Sequence, residues 1–385
     1  MSFLEVEIER ILPGGYGLAH SAGHTVFVSL AAPGDRLRVR VERQQGNVLF
    51  AAIEEILVAS PDRIQPPCPY FGRCGGCDFQ QLTYEKQLAA KAGIIRDCLH
   101  RIARLEDVPE VVVTPSPREW RYRMRATWQI DRDERTIGYY ERGSRRVCDV
   151  ADCAVLVPQL EETLERVRAT DFQRFPPELK HLDVVAGENG VSLAPAFAEF
   201  ETAELELRVG EEIYNYSAEA FFQVNPGLLA PLIEFALGDV SGETAVDLYC
   251  GVGLFTLPLA RRFAAVTGVE ANPVAVRFAR RNLQRAGLEN VRVVNAGVTE
   301  WIRRRALQTD FVLLDPPRAG AESAVIKGIL DSRARRISYV SCDPATLARD
   351  LRKLFAGGYM MESLLAFDLF PQTHHVETVV RLHLV

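Results

Sequence analysis

Hydrophobic and polar residues alternate in short segments near the N-terminus. The alternation is seen in VEIERIL (6–12) and is strict in RLRVRVER (36–43); HTVFVSL (24–30) between them also has the composition of a strand, and turns containing proline and glycine separate the three segments. A period of two is typical of strands with one buried face, and short strands joined by tight turns indicate a small barrel. We therefore predict a β-barrel over residues 1–59, followed by a linker whose prolines interrupt regular structure.

The C-terminal half alternates instead between apolar strand-like segments and helix-like segments. The strand-like segments are TAVDLY, AVTGVE, VRVVN, DFVLLD and RISYVS, with VETVVRLHLV as a closing strand. The helix-like segments are FTLPLARRF, PVAVRFARRNLQRAG and PATLARDLRKLF. This alternation predicts an α/β fold with a parallel sheet and crossover helices over residues 206–385.

Residues 60–205 combine a cysteine cluster, a helix at about 84–104 and strand-like stretches. This mixture predicts a central α+β domain between the barrel and the α/β domain. Whether the helix packs on the central or on the C-terminal domain stays open at this point.

Composition and the N-terminal sequence restrict the class of protein. Hydrophobic residues make up 48% and charged residues 25% of the 385-residue chain, as in ordinary globular proteins. No apolar run approaches the roughly 18 residues of a membrane span, and the acidic N-terminus does not resemble a signal peptide. We therefore expect a cytoplasmic protein without membrane partners.

The net charge of −6 gives no general signal for nucleic-acid binding, but arginines are concentrated in two stretches. Residues 118–146 hold nine Arg against five acidic residues, and residues 277–305 hold eight against two. Guanidinium groups suit phosphate, whereas runs of charge are often only solvated surface. The sequence leaves both interpretations open.

Four cysteines have the pattern of a metal site. Cys68, Cys74 and Cys77 form a C-x5-C-x2-C run, and Cys153 is the natural fourth ligand, with Cys148 as a rival. Four thiolates hold either an iron–sulfur cluster or a structural zinc ion, and the spacing does not decide between them.

A glycine-containing loop after a predicted strand indicates a ligand site. Asp247, Gly251 and Gly253 lie where a strand ends and a helix begins, and Glu270 ends the next strand 23 residues after Asp247. Ligands in open α/β sheets bind at this edge, and such a carboxylate suits a ribose hydroxyl. The third glycine of the dinucleotide motif is missing, which favours S-adenosylmethionine over a dinucleotide.

Two further strand ends carry chemically useful side chains. Asp315 precedes Pro316 and Pro317, which makes a rigid corner at the same edge of the sheet. Cys342 opens a helix, whose dipole favours a thiolate, so we interpret it as a nucleophile. Glu377 lies just before the last predicted strand and would serve as a general base if it is buried.

These motifs resemble, in order and over nearly the whole chain, those of the RNA 5-methyluridine methyltransferases of the bacterial iron–sulfur type that acts on ribosomal RNA. The motifs are PGGYGLA, VFVSLAAPGD, the C-x5-C-x2-C run, FFQVN, DLYCGVG, DPPRAG, SCDPATLARD and FPQTHHVE. The resemblance implies a TRAM RNA-binding barrel at 1–59, a central iron–sulfur domain at 60–205, and a Rossmann-like class I methyltransferase domain at 206–385.

The resemblance also implies functional residues. Cys342 would be the nucleophile that attacks carbon 6 of uracil, and Glu377 the base that removes the proton from carbon 5. A [4Fe–4S] cluster, more than zinc, would be held by Cys68, Cys74, Cys77 and Cys153. The methyl donor S-adenosylmethionine would be bound by Gln223, Tyr249, Gly251, Gly253, Glu270 and Asp315. The family pattern differs here at Leu254, Gly297 and Asp343.

The implied partner is RNA, with 23S rRNA favoured over tRNA, and we expect a monomer with no obligate protein partner. Trp120, Tyr122 and Trp128 lie among the first group of arginines and are predicted to stack on bases. The alternatives are a tRNA uridine-54 methyltransferase and an RNA-binding or chaperone protein with an inactive methyltransferase domain. A 5-methylcytosine enzyme would carry a second cysteine in the Asp-Pro corner, which is absent here.

Overall fold

The computed structural model describes residues 3–304 and 307–385, and its N-terminal part is a closed sheet. Its strands are β1 (Phe3–Glu7), β2 (Arg10–Ile11), β3 (Gly17–Ser21), β4 (His24–Val28), β5 (Arg36–Gln45) and β6 (Val48–Val58). The sheet order is β1-β5-β6-β4-β3-β2. Because β1 and β2 are consecutive parts of one bent segment and pair with opposite sheet edges, the sheet closes as a barrel.

The alternating pattern is reflected in the barrel interior, with one correction. Val26, Val28, Leu37 and Val39 are fully buried in its core, as alternation along β4 and β5 predicts. The segment VEIERIL, predicted as one strand, is interrupted between β1 and β2, where the chain bends from one sheet edge to the other.

The middle of the chain contains a second, antiparallel sheet. The elements are α1 (Tyr84–Arg101), β7 (Val113–Thr114), β8 (Arg125–Asp131), β9 (Thr136–Tyr140), β10 (Val147–Asp149), α2 (Pro158–Ala169), β11 (His181–Gly187), β12 (Gly190–Ala194), β13 (Leu205–Val209) and β14 (Glu212–Tyr216). Five strands form the sheet β10-β9-β8-β11-β12, against which α2 packs, and β13 and β14 form a separate hairpin.

The C-terminal part is built around an eight-stranded sheet. Its elements are α3 (Leu229–Leu237), β15 (Gly242–Leu248), α4 (Thr256–Ala260), β16 (Phe263–Glu270), α5 (Pro273–Arg285), β17 (Val291–Asn295), α6 (Val298–Arg303), β18 (Phe311–Leu314), α7 (Ser323–Ser332), β19 (Arg336–Ser341), α8 (Pro344–Ala356), β20 (Tyr359–Phe367) and β21 (Glu377–Leu384). The order is β17-β16-β15-β18-β19-β21-β20-β7, with β15 to β19 mutually parallel and β21 antiparallel to both neighbours.

The predicted parallel strands and the closing strand are confirmed, whereas one predicted helix is shorter than expected and α3, α6, α7, β7 and β20 have no counterpart in the prediction. The helix predicted over FTLPLARRF ends at Ala260, because Phe263 already begins β16. The strand β20 was not predicted from the sequence. Its residues alternate irregularly between exposed and buried, as expected where a bulge interrupts its pairing with β21.

The helix that the sequence could not place packs on the C-terminal domain. Ile95 and Leu99 of α1 share a core with Leu248 and Val312 of the large sheet, and α1 packs against α8. The helix ends at Arg101, before Arg104 adopts a left-handed φ of +62°.

The central and C-terminal parts also share hydrophobic contacts. Trp128 and Leu182 of the antiparallel sheet belong to the same buried cluster as Leu257 and Phe278 of the C-terminal part. The two parts are therefore held together by one continuous core. Within the described ranges, every helix is too short or too polar to cross a lipid bilayer.

Candidate active site

The carboxyl ends of the parallel strands open on a cleft of about 770 Å³. Seven of the eight residues proposed for the donor and for catalysis line it: Gln223, Tyr249, Gly251, Glu270, Asp315, Cys342 and Glu377. Gly253 does not line the cleft, although it belongs to the same loop as Tyr249 and Gly251. These residues come from the carboxyl ends of four strands, from the loop of Gln223 and from the start of β21, so the sheet topology brings distant sequence motifs to one edge.

The loop between β15 and α4 requires an unusual backbone. Tyr249, Gly251 and Gly253 have φ values of +64°, +54° and +96°, a region that favours glycine. A Cβ atom on Gly253 would lie 2.9 Å from Leu257 Cδ1. Glycine is therefore needed for this loop to turn tightly at the edge of the cleft.

Glu270 is fixed between two backbone segments. Its Oε2 accepts a hydrogen bond from the Gly251 N–H at 3.1 Å, and its Oε1 accepts one from the Asn272 N–H at 2.7 Å. The carboxylate therefore ties the glycine loop to the start of α5. Leu254 also lines the cleft and offers only its apolar side chain and its backbone.

Three carboxyl groups with raised pKa values lie at this edge of the sheet. Burial raises the pKa of Asp247 to about 7. Its Oδ2 accepts a hydrogen bond from the Thr256 hydroxyl at 2.5 Å. Burial also raises the pKa of Asp315 to about 7. The pKa of Glu377 is raised well above its ordinary value by burial and by Asp315, while Arg318 opposes the rise. Asp247 and Asp315 can therefore exchange protons near neutral pH.

Cys342 lies between β19 and α8, where Asp343 caps the helix by accepting the Thr346 N–H at 2.8 Å. Burial raises the pKa of the Cys342 thiol to about 12, and Glu377, Asp315 and Asp343 add to the rise against the effect of Arg318. The sequence predicts that the helix dipole favours a thiolate here, and in the folded protein burial acts in the opposite direction. Desolvation and the neighbouring carboxyls outweigh a helix terminus.

This environment predicts a pH dependence for the chemical reactivity of Cys342. Because the thiolate is the reactive form and the thiol pKa is about 12, alkylation should accelerate about tenfold per pH unit between about pH 8 and pH 10. Peptide-resolved mass spectrometry after iodoacetamide treatment of the free protein measures this rate. A rate that is already constant above pH 8 would show that the thiol is ionised at neutral pH.

Comparison with known proteins agrees with this geometry. A family model described as tRNA (Uracil-5-)-methyltransferase matches residues 196–385. The chain is 34% identical to a 23S rRNA (uracil(1939)-C(5))-methyltransferase of Shewanella amazonensis, with 99% of this chain and 96% of the relative covered. It is 32% identical to an uncharacterized RNA methyltransferase of Aquifex aeolicus, with 98% of each covered. The chain belongs to the RNA uracil-5-methyltransferase family.

A solved structure extends the likeness to the three-dimensional fold. The tRNA (uracil-54, C5)-methyltransferase of Pyrococcus abyssi, in complex with S-adenosyl-L-homocysteine, matches with a TM-score of 0.76 at 26% identity. The match covers 98% of this chain and 100% of that structure. The chain therefore has the class I fold of S-adenosylmethionine-dependent methyltransferases.

The outer wall of this methyltransferase cleft differs from the sequence-based prediction. Tyr122 and Trp128, predicted to stack on RNA bases, are 3% and 0% exposed and belong to the interior. Phe221 is instead 60% exposed on the cleft wall, with the Arg125 guanidinium 5.7 Å from its ring centre. The sequence could not distinguish buried from exposed aromatic residues. Which face of a strand is buried depends on the elements that pack against it, and these are known only from the fold.

Two arginines at the end of α5, in the second arginine stretch, form ion pairs within the protein. Arg281 forms an ion pair with Glu204, and Arg285 forms one with Glu206 at 2.5 Å. These contacts join α5 to the hairpin of β13 and β14. For these two arginines the structure favours the interpretation as paired surface over phosphate binding.

The four predicted metal-binding cysteines line one small cavity of about 30 Å³. Cys68, Cys74, Cys77 and Cys153 all border it, whereas Cys148 does not, which disfavours the rival fourth ligand. In residues 3–304 and 307–385, no three His, Cys, Asp or Glu side chains are grouped closely enough to hold a single metal ion. The cysteines therefore share a cavity without forming a closed shell around one ion.

Proposed function

We propose that this protein transfers a methyl group from S-adenosylmethionine to carbon 5 of a uridine in RNA through a transient bond between Cys342 and carbon 6. The observation that carries the proposal is the position of the Cys342 thiol, the Glu377 carboxyl and the loop of Gly251 on one cleft. A thiol, a base and a donor site are the groups that this reaction needs.

The chemistry follows from the poor nucleophilicity of carbon 5. A neighbouring carboxylate takes the thiol proton, and the Cys342 thiolate adds to carbon 6, which pushes an electron pair onto the oxygen at carbon 4. Carbon 5 of this enolate takes the methyl group from the donor sulfonium, and S-adenosylhomocysteine leaves. Glu377 then removes the proton from carbon 5, the carbon–sulfur bond at carbon 6 breaks, and the double bond is restored.

Donor binding is assigned to the residues around the glycine loop. Tyr249, Gly251, Glu270, Asp315 and Gln223 line the cleft in which the donor would lie, and Gly253 shapes the loop that carries Gly251. The Pyrococcus relative was solved with S-adenosyl-L-homocysteine, which supports a donor of this class. Holding the sulfonium in line with carbon 5 lowers the entropic cost of the transfer.

The proposed target is 23S rRNA, because the Shewanella relative with this name is 34% identical over nearly the whole chain. The Pyrococcus tRNA enzyme, at 26% identity, supports tRNA as the second candidate. The barrel over residues 1–59 is proposed as the TRAM RNA-binding domain. Arg125 and Phe221 are proposed to contact the nucleotide that is extruded into the cleft.

Methyl transfer tests this function directly. Full-length protein and labelled S-adenosylmethionine are incubated with 23S rRNA and, separately, with tRNA from cells lacking the gene, and 5-methyluridine is mapped in each. We expect 5-methyluridine at a specific position of 23S rRNA. Methylation of tRNA alone would assign the second candidate, and absence of 5-methyluridine from both would reject the proposed activity.

The four-cysteine cavity is proposed to hold a [4Fe–4S] cluster. Thiolates around a zinc ion, with bonds of about 2.3 Å, must converge on one point, which the described side chains do not do. A cluster takes one cysteine on each iron and accepts a wider arrangement. Burial raises the pKa of Cys77 to about 12 and also raises that of Cys153, and the Arg123 guanidinium, which borders the cavity, opposes both rises. When bound, the cluster would order the loops that carry these cysteines.

Replacing Cys153 by serine tests the metal assignment. Anaerobically purified wild-type protein should contain about four iron and four sulfide per chain. Cys153→Ser should lose most of both, because one iron loses its thiolate, whereas Cys148→Ser, as the control, should retain them. Zinc without iron in the wild-type protein would reject the cluster.

A further inference from the structure

The cysteine-bearing loop is hydrogen-bonded directly to the loop that leads to Glu377. Asp78, which follows the third cysteine, donates its N–H to the Gln372 carbonyl at 3.0 Å, as does Phe79. In the opposite direction, the His374 N–H donates to Asp78 Oδ1 at 2.7 Å, and His374 Nδ1 lies 2.7 Å from Asp78 Oδ2. The backbone and the side chain of Asp78 are therefore both hydrogen-bonded to the loop that contains Gln372 and His374.

The loop held in this way has a strained backbone. Gln372 has a φ of +68°, a conformation that a residue with a side chain adopts only when its surroundings enforce it. Its N–H donates to Gln87 Oε1 at 2.9 Å, and Gln87 Nε2 donates to Gln372 Oε1 at 2.9 Å. The Tyr122 hydroxyl donates to the Pro371 carbonyl at 2.8 Å. Several separate contacts thus oppose relaxation of this loop.

Glu377 depends on its backbone for its position. Its buried Oε1 has no hydrogen-bond partner within the described part of the chain, so side-chain hydrogen bonds to this oxygen do not fix it. The residue is the first of β21 and comes three positions after His374. The loop before β21 therefore determines where the carboxyl enters the cleft.

We propose that Asp78 and His374 form a positioning pair that fixes the 370–376 loop against the cysteine-bearing loop and thereby aims the Glu377 carboxyl into the cleft. The inference rests on the proposed function in assigning Glu377 the role of base. The pair itself touches neither the cleft nor the reacting atoms. The sequence marks His374 only as one of two adjacent histidines and gives no signal that Asp78 is its partner.

The variant Asp78→Ala in the full-length, metal-loaded protein tests the pair by hydrogen exchange and by reaction kinetics. Loss of both contacts should speed amide exchange in peptides covering 370–377 at least about tenfold, because the loop opens locally. Donor binding should be unchanged. Removal of the carbon 5 proton should slow about 10- to 100-fold through misplacement of the base, so that a denaturation-resistant protein–RNA adduct accumulates.

Two matched variants separate positioning from general stability. Asp78→Asn keeps an acceptor for the His374 N–H, and its amide can donate to Nδ1 in the other imidazole tautomer, so it should restore slow exchange. Asp310→Ala removes a carboxylate that accepts the Thr244 N–H at 3.0 Å and its hydroxyl at 3.2 Å, at the opposite edge of the sheet. It should leave exchange at 370–377 and adduct lifetime unchanged.

Hydrogen exchange tests the positioning pair and 5-methyluridine formation tests the proposed function, so either can be rejected without the other. Unchanged exchange at 370–377 in Asp78→Ala would overturn the positioning pair, whatever the enzyme does to RNA. The pair would also be overturned if Asp78→Ala and Asp310→Ala altered exchange equally, since the effect would then be a general loss of stability. If the wild-type protein forms no 5-methyluridine while exchange responds as expected, the pair stands and the proposed function fails.

Discussion

Replacement of Cys342 by alanine is expected to abolish formation of 5-methyluridine while leaving methyl-donor binding intact. Without the thiol, carbon 5 cannot be activated by addition at carbon 6, and loss of a covalent nucleophile costs on the order of 10⁴-fold or more in turnover. The proposed donor site is built around Gly251 and Glu270, which are hydrogen-bonded to each other and not to the sulfur. Transfer of labelled methyl groups to RNA and calorimetric titration with S-adenosylmethionine measure the two properties.

A second buried cysteine provides the control for this experiment. Cys98 lies in α1, is 2% exposed and is outside the cleft. Cys98→Ala should therefore lower stability slightly and retain turnover, since a small buried thiol contributes mainly packing. If Cys342→Ala still methylates RNA at a rate comparable with that of Cys98→Ala, the covalent route is wrong.

Replacement of Glu377 by glutamine is expected to trap the enzyme on its RNA. Cys342 can still add to carbon 6 and methyl transfer can still occur, but no base remains to remove the proton from carbon 5. A general base contributes about 10²–10⁴-fold, so product release should slow by that factor. The methylated adduct should then be visible as a slowly migrating band on a denaturing gel, labelled from the donor methyl group.

The control for this variant is a glutamate on the neighbouring strand. Glu362 lies on β20 and pairs with Arg381 of β21 at 2.6 Å, away from the cleft. Glu362→Gln should release product as the wild-type protein does. Prompt release from Glu377→Gln would mean that another group, such as Asp315, removes the proton. Unlike Asp78→Ala, Glu377→Gln should leave amide exchange in the 370–376 loop unchanged.

Much of the site could be predicted from the sequence, because each motif follows an apolar strand. The carboxyl ends of parallel strands meet at one sheet edge, so residues after β15, β16, β18 and β19 must approach each other. This reasoning applies to Gly251, Glu270, Asp315 and Cys342. Glu377 is a different case, since it begins an antiparallel strand whose start lies at the same edge.

Exposure and electrostatic environment could not be predicted in the same way. Trp128 and Phe221 are both aromatic residues near arginines in sequence or in space, yet one is buried and the other lies exposed on the cleft wall. The thiol of Cys342 was expected to be acidic from its place before a helix. Its pKa is raised instead, because the residues that desolvate and surround it come from other parts of the chain.

By itself the sequence determined which strand ends carry a glycine loop, a carboxylate and a thiol, and that a glutamate lies at the start of the last strand. These features depend on local hydrophobic patterns and turn residues, which the chain encodes within a few positions. Only the tertiary structure decided that four cysteines share one cavity, that burial raises the pKa of the Cys342 thiol, and that Asp78 is hydrogen-bonded to His374. Burial, charge and hydrogen bonding between distant segments act through space, so they arise only when the chain has folded.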